Sequence, residues 1–175
     1  MDSRDVALFV LIGICGVTDL RSGRVYNKIT YPAILLGFVL NAWLEHAEGA
    51  WNSAEGFLLA AVLMGGLALI GGMGGGDAKL LAAIGAIRGY PFIANVFFYS
   101  FLVGGAMALV VAIWQGRLWT TLRRVGAMLY SIVVFRRLPG TEWNDVKSYK
   151  IPFGVAICIG ALWAQVSPKL SELLM

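Results

Sequence analysis

The sequence predicts an all-α, polytopic membrane protein of about six transmembrane helices, with one further amphipathic helix lying in the interface. Three observations carry that expectation. Of the 175 residues, 59% are hydrophobic and only 14% charged, where a soluble domain carries about 25% charged residues. The apolar residues gather into runs, the clearest being the uncharged stretch 92–114, long enough to cross a bilayer core as a helix. The basic residues gather in the connections between runs, as in proteins oriented by positive cytoplasmic loops. Nothing reads as a polar linker, so residues 1–175 are expected to form one integral-membrane domain.

The first run, 6–20, exits into Arg21, Arg24 and Lys28. The second, 29–44, carries Pro32 in its first turn, where a missing N–H costs little. An acidic loop holding Glu45, His46, Glu48 and Glu55 is expected next. The third run, 56–73, is broken by glycines that lead to Asp77, and the fourth, 78–87, ends at Arg88-Gly89-Tyr90-Pro91. After 92–114, the last run is 151–166, closed by Ser167-Pro168-Lys169. Several runs fall short of the roughly 20 residues that a perpendicular span needs, and local thinning or burial among other helices would complete them. The stretch 115–150 is expected to be a cytoplasmic loop. Its apolar run 125–135 is bracketed by Arg123-Arg124 and Arg136-Arg137. That is too short to span, and fits a helix in the interface with arginines reaching for lipid phosphate.

Charge sets the expected orientation. With both ends outside, the inner segments hold Arg21, Arg24, Lys28, Lys79, Arg117, Arg123, Arg124, Arg136, Arg137, Lys147 and Lys150, and the outer ones only Arg4, Arg88 and Lys169: 11 of the 14 cations against 3. Positive loops stay in the cytoplasm, so Asp19 and Asp77 fall at the cytoplasmic edge. The net charge of +4 therefore points to anionic lipid and not to nucleic acid. Cys15 and Cys158 lie alone in apolar runs without a C-x-x-C partner, as small apolar fillers. The start, Met-Asp-Ser-Arg-Asp, lacks the positive leader of a signal peptide, so the first segment is expected to be retained. Gly85-x-x-x-Gly89 has the spacing that lets two helix backbones approach closely.

The chemistry is expected from two carboxylates. Asp77 follows Gly74, Gly75 and Gly76 and precedes Ala78-Lys79-Leu80; Asp19 opens Asp19-Leu20-Arg21-Ser22-Gly23-Arg24-Val25-Tyr26-Asn27. An acid beside apolar runs is costly and marks a functional site by default. Two carboxyl groups held close share a proton, so one can draw a proton from water while the other protonates a substrate carbonyl. No metal, cofactor or histidine is needed, and the one histidine, His46, falls on the opposite side. Glycine permits close backbone approach, so an extended peptide could lie against residues 74–76.

Those two stretches carry a resemblance. Gly74-Gly75-Gly76-Asp77-Ala78-Lys79-Leu80 resembles the G-x-G-D-x-K-L signature of type IV prepilin peptidases, and Asp19-Leu20-Arg21-x-x-x-Val25-x-Asn27 resembles that family's first-aspartate motif, D-x-R-x-x-x-I-P-N. Val25 replaces Ile and Tyr26 replaces Pro. The resemblance implies a multi-pass aspartic endopeptidase of the prokaryotic inner membrane, cutting short basic leaders from prepilin-like partners at the cytoplasmic face. Asp19 and Asp77 would be catalytic, with Arg21, Asn27, Lys79 and Gly74 to Gly76 as motif support. Larger members add a cysteine-rich insert and N-methylate the new terminus. Without paired cysteines this chain resembles the short, peptidase-only branch found with tight-adherence (Flp-type) pili and preflagellins. Two rival readings remain open at this point: a proton-coupled transporter or channel using Asp19 and Asp77 as ion sites, and a non-catalytic assembly subunit whose acids cap helices.

Overall fold

The computed structural model describes residues 2–69, 74–116 and 152–167, together with 118–120, 123, 126, 127 and 130. Among these residues every regular element is helical, as expected. The helices are α1 (Ser3–Ser22), α2 (Asn27–Leu69), α3 (Gly75–Arg88), α4 (Tyr90–Trp114) and α5 (Phe153–Val166). The interfacial helix expected over 125–135 lies, apart from Gly126, Ala127 and Tyr130, outside the described residues.

One connection differs from expectation. The acidic stretch after residue 44 is not a loop: α2 carries on through Glu45, Glu48 and Glu55, interrupted by non-helical backbone at His46 alone (φ 55°, ψ −129°). Residues 47–55 are mostly good helix formers, so the reversal is compressed into one residue in the left-handed region. Gly49 makes the tight return possible, because a Cβ there would run into the Asn41 carbonyl. The runs read as second and third are therefore two limbs of α2, before and after His46.

The limbs clasp α3, in which residues 80–87 are all buried. The contact is backbone against backbone: a Cβ on Gly56 would strike the Gly85 carbonyl, and one on Gly85 the Gly56 carbonyl. On the first limb, a Cβ at Gly37 would lie 2.7 Å from the Ala86 carbonyl carbon. The Gly85-x-x-x-Gly89 spacing thus marks a true close approach, of the kind small residues allow where van der Waals packing replaces the hydrophobic drive. Polar side chains seal the joint. The buried Asn41 amide donates to the carbonyls of Gly37 (2.9 Å), Ala86 (3.0 Å) and Ile87 (3.0 Å), and Ser53 donates to Ala86 at 2.5 Å. The C-terminal carbonyls of α3, which have no partner within their own helix, are thereby satisfied. Across the bundle, Tyr99 of α4 stacks on Trp163 of α5, with ring centroids 5.4 Å apart.

Contacts at the helix ends define two poles. At one, Arg88 ends α3 and pairs with Asp5 of α1 at 2.7 Å while donating to Gln165 of α5 at 3.0 Å. Beside it, Arg4 pairs with Asp2 and, at 2.7 Å, with Glu45 of α2. The end of α1, the start of α2 and the starts of α3 and α5 meet at the other pole. Each helical rod thus runs from one pole to the other, antiparallel to the next.

The polarity is inside out for a soluble protein. Thr30, Asn41, Ser53, Asn95 and Ser100 are buried, while Val10, Leu35, Val62, Trp43 and Trp114 are more than half exposed. Among the described residues, α4 is the one helix long and apolar enough by length and composition to cross a membrane; α3 and α5, with 14 residues each, are only about 21 Å long.

The Gly56–Gly85 contact predicts an asymmetry between two otherwise similar substitutions. Gly56→Ala forces two backbones apart and should cost about 2 kcal/mol or more. Gly65→Ala meets nothing within 4 Å, and should be neutral or stabilising by up to about 1 kcal/mol. Thermal unfolding in detergent compares them directly; equal effects would contradict the packing.

Candidate functional site

The pole opposite the Arg88 cluster holds a cavity of about 480 Å³, and both Asp19 and Asp77 line it. Asp19 sits in the last turn of α1 and is 4% exposed. Gly23, in the left-handed conformation (φ 59°, ψ 30°), ends that helix by donating its N–H to the Asp19 carbonyl at 2.8 Å. This turns the chain away at once and leaves the Asp19 side chain at the rim of the bundle. Its Oδ2 accepts a hydrogen bond from the Val155 N–H, in the first turn of α5, at 3.0 Å.

Asp77 arrives from the other side. The helix α3 starts at Gly75 with Gly74 as its N-cap, so Asp77 is the third helical residue and not the cap. A carboxylate in a first turn is favoured by the helix dipole. Asp77 and Asp19 are near enough to interact electrostatically. Among the described residues, no donor hydrogen-bonds the Asp77 carboxyl.

The two motif loops are fastened to one another. A Cβ on Gly76 would lie 3.2 Å from the Cβ of Val25, so that glycine lets the start of α3 rest on the loop after Asp19. Lys79 Nζ donates to Asn27 Oδ1 at 2.8 Å and lies 5.2 Å from the centre of the Tyr31 ring. Gly74, Gly76 and Asn27 also line the cavity.

Comparison with known proteins follows from this geometry. The model of the type IV leader peptidase family matches residues 6–109, more than half of the chain. The chain belongs to the type IV leader peptidase family. It is 36% identical over 118 residues to a prepilin leader peptidase/N-methyltransferase of Bacillus subtilis, covering 65% of this chain and 46% of that protein. The protein of the same name in Escherichia coli is 29% identical over 120 residues, 65% of this chain and 53% of its own length. The prepilin peptidase EppA of Methanocaldococcus jannaschii is 24% identical over 163 residues, 90% of this chain and 44% of its own. The chain thus spans about half the length, or less, of these curated relatives. No solved structure matches it.

Within this family member, the expected site residues divide. Asp19, Asp77, Gly74, Gly76 and Asn27 border one cavity, and Lys79 reaches it through Asn27. Arg21 and Gly75 do not border it: Arg21 is exposed, and nothing lies within 4 Å of a Cβ built on Gly75. Arg21 falls on the helix face turned from the cavity, because residues two apart on a helix do not share a face. Sequence reading missed the third wall. Pro152 and Phe153 line the cavity, and Gly154 abuts Asp19. The only local signal was Pro152, with Gly154 two residues on, at the start of the last apolar run. Arg24 and Tyr26 also line it, having been read only as a cytoplasmic cation and a departure from the motif.

The Lys79–Asn27 bond predicts a measurable coupling. Asn27→Ala and Lys79→Ala should show a double-mutant coupling of about 0.5–1 kcal/mol in thermal stability, the range for a partly exposed hydrogen bond. Strictly additive losses would mean that the bond does not hold the loops together.

Proposed function

We propose that this chain is an inner-membrane aspartic endopeptidase that removes the short basic leader from prepilin-like substrates at the cytoplasmic face. The observation that carries the proposal is the meeting of Asp19 and Asp77, far apart in sequence, in one cavity at one pole of the bundle. Family membership supports the substrate class. The absence of paired cysteines from the sequence supports a peptidase without the methyltransferase activity that its longer relatives carry in their names.

The chemistry needs only the pair and a water. One carboxylate takes a proton from the water as its oxygen bonds to the scissile carbonyl carbon. The carbonyl π electrons move to oxygen, which takes the proton of the other carboxyl, giving a neutral tetrahedral diol. A hydroxyl of the diol then returns its proton to the second carboxylate as the C–N bond breaks, and the first carboxyl protonates the leaving nitrogen. Both acids end as they began. Gly74 and Gly76 leave room for an extended peptide to lie along the cavity wall.

The alternation of the rods between poles, counting the limbs of α2 separately, supports a reading of six crossings. The apolar outer surface supports a lipid environment. The distribution of cations supports the cytoplasmic face: Arg4 and Arg88 are paired with acids at the far pole, whereas Arg21, Arg24 and Lys28 have no ion pair among the described residues. A transporter would hold its acids near the middle of the membrane, not at one pole.

Two experiments test the reading. Asp19→Asn and Asp77→Asn should each nearly abolish leader removal from a co-expressed prepilin, with the double change little worse than either single one, and cleavage should survive EDTA. A folded Asn variant that still cuts, or activity lost to EDTA and restored by a divalent ion, would overturn the mechanism. For topology, a cysteine at exposed Glu48 should react in intact cells with an impermeant maleimide, and one at exposed Lys28 only after lysis. The native Cys15 and Cys158 are buried, which keeps the background low. The reverse pattern would invert the protein in the membrane.

A further inference from the structure

Asp19 and Asp77 lie in unlike surroundings. The Asp19 carboxyl is pressed against the first turn of α5. Its Oδ2 takes the Val155 N–H at 3.0 Å, and a Cβ on Gly154 would sit 2.7 Å from that oxygen and 2.9 Å from Cγ. A real Cβ does not come so near, so only glycine at 154 admits the carboxyl to this seat. The same position would bring a Cβ within 3.2 Å of Val25 Cγ2, in the loop on which Gly76 rests. The start of α5 is thus wedged between the end of α1 and the loop after it. Asp77 has no such seat among the described residues.

An N–H can only donate, so Oδ2 of Asp19 is the acceptor of this bond. Backbone N–H donation at a helix start favours the carboxylate form of its acceptor. We propose that the start of α5 is a positioning element, in which Gly154 makes room for Asp19 and the Val155 N–H holds it as the water-activating carboxylate, leaving Asp77 to carry and donate the shared proton. This rests on the aspartic mechanism proposed above. The charged and titratable groups around Asp19 are Cys15 on its own helix, Asp77 on α3, Arg24 in the loop, and Cys158 on α5. Neither thiol lines the cavity.

The test uses the full-length protein in detergent with a purified prepilin. Val155→Pro removes the N–H at a first-turn position where proline is tolerated. It should lower kcat about tenfold or more with KM little changed, as loss of a properly held base does. Gly154→Ala should lower kcat similarly and lower the melting temperature. That melting penalty should shrink markedly when it is introduced into Asp19→Ala, which removes the side chain it displaces and leaves only the looser contact with Val25. A folded Val155→Pro with the parent's kcat and KM would overturn the proposal, as would an undiminished Gly154→Ala penalty in the Asp19→Ala background. Should Val155→Pro fail to fold, the Gly154→Ala comparison decides alone. Retained cleavage by Asp19→Asn would instead sink the aspartic mechanism itself, so the two failures are told apart.

Discussion

The joint between the second limb of α2 and α3 is the constraint on which the rest of the structure depends. Gly56 and Gly85 bring two helix backbones into direct contact. Asn41 and Ser53 close the same joint by taking up the carbonyls at the end of α3. At about 21 Å this helix is short, and the Ala86 and Ile87 carbonyls near its end are taken up by neighbouring side chains. With the C-terminus of α3 held in this way, its N-terminus is delivered to a fixed height, and that height is where Asp77 stands. A shift of one residue in the joint would move the carboxyl by about 1.5 Å and rotate it by about 100°.

The inverted polarity of the bundle has the same logic. Two buried polar side chains meet backbone carbonyls across a helix crossing, Asn41 on Ala86 and Ile87 and Ser53 on Ala86, while Ser100 bonds within its own helix to Val96 at 2.6 Å. Unpaired, each would cost about 1–3 kcal/mol; paired, Asn41 and Ser53 hold helices that hydrophobic burial cannot drive together where the surroundings are as apolar as the core. The cations follow suit. Arg88, half-buried among three helices, is surrounded by Asp5, Gln165 and the Phe92 ring, whereas Arg21, Arg24 and Lys28 at the cavity pole are exposed.

The cavity is built from helix ends, and this suits the proposed peptide hydrolysis. Asp19 closes one helix, Asp77 opens another, Asn27 opens a third and Pro152 caps a fourth. Helix ends leave backbone groups unpaired, and those groups are free to hold a carboxyl or an extended peptide. A site in the middle of the helices would have neither the donors nor access for water, and peptide hydrolysis needs both.

Much of this was legible in the sequence. Composition and the length of the apolar runs determined an all-helical chain, because a backbone in an apolar medium must satisfy its own hydrogen bonds. The carboxylates beside glycine in Asp19 to Asn27 and Gly74 to Leu80 identified the cavity residues and the family, since ionisable groups are tolerated beside apolar runs only for a reason. The spacing Gly85-x-x-x-Gly89 located the closest packing. Tertiary structure decided the rest. A polar connection was expected around His46, but it could not be read that the helix continues through the acidic residues and turns at that one residue, because good helix formers on either side look in composition like any polar loop. Nor could it be read that Arg21 and Gly75 stand outside the cavity, since that depends on helix rotation. Above all, nothing local to Gly154 and Val155 announces that they seat Asp19. That contact joins residues at opposite ends of the chain, and a glycine needed for space looks in sequence like any other.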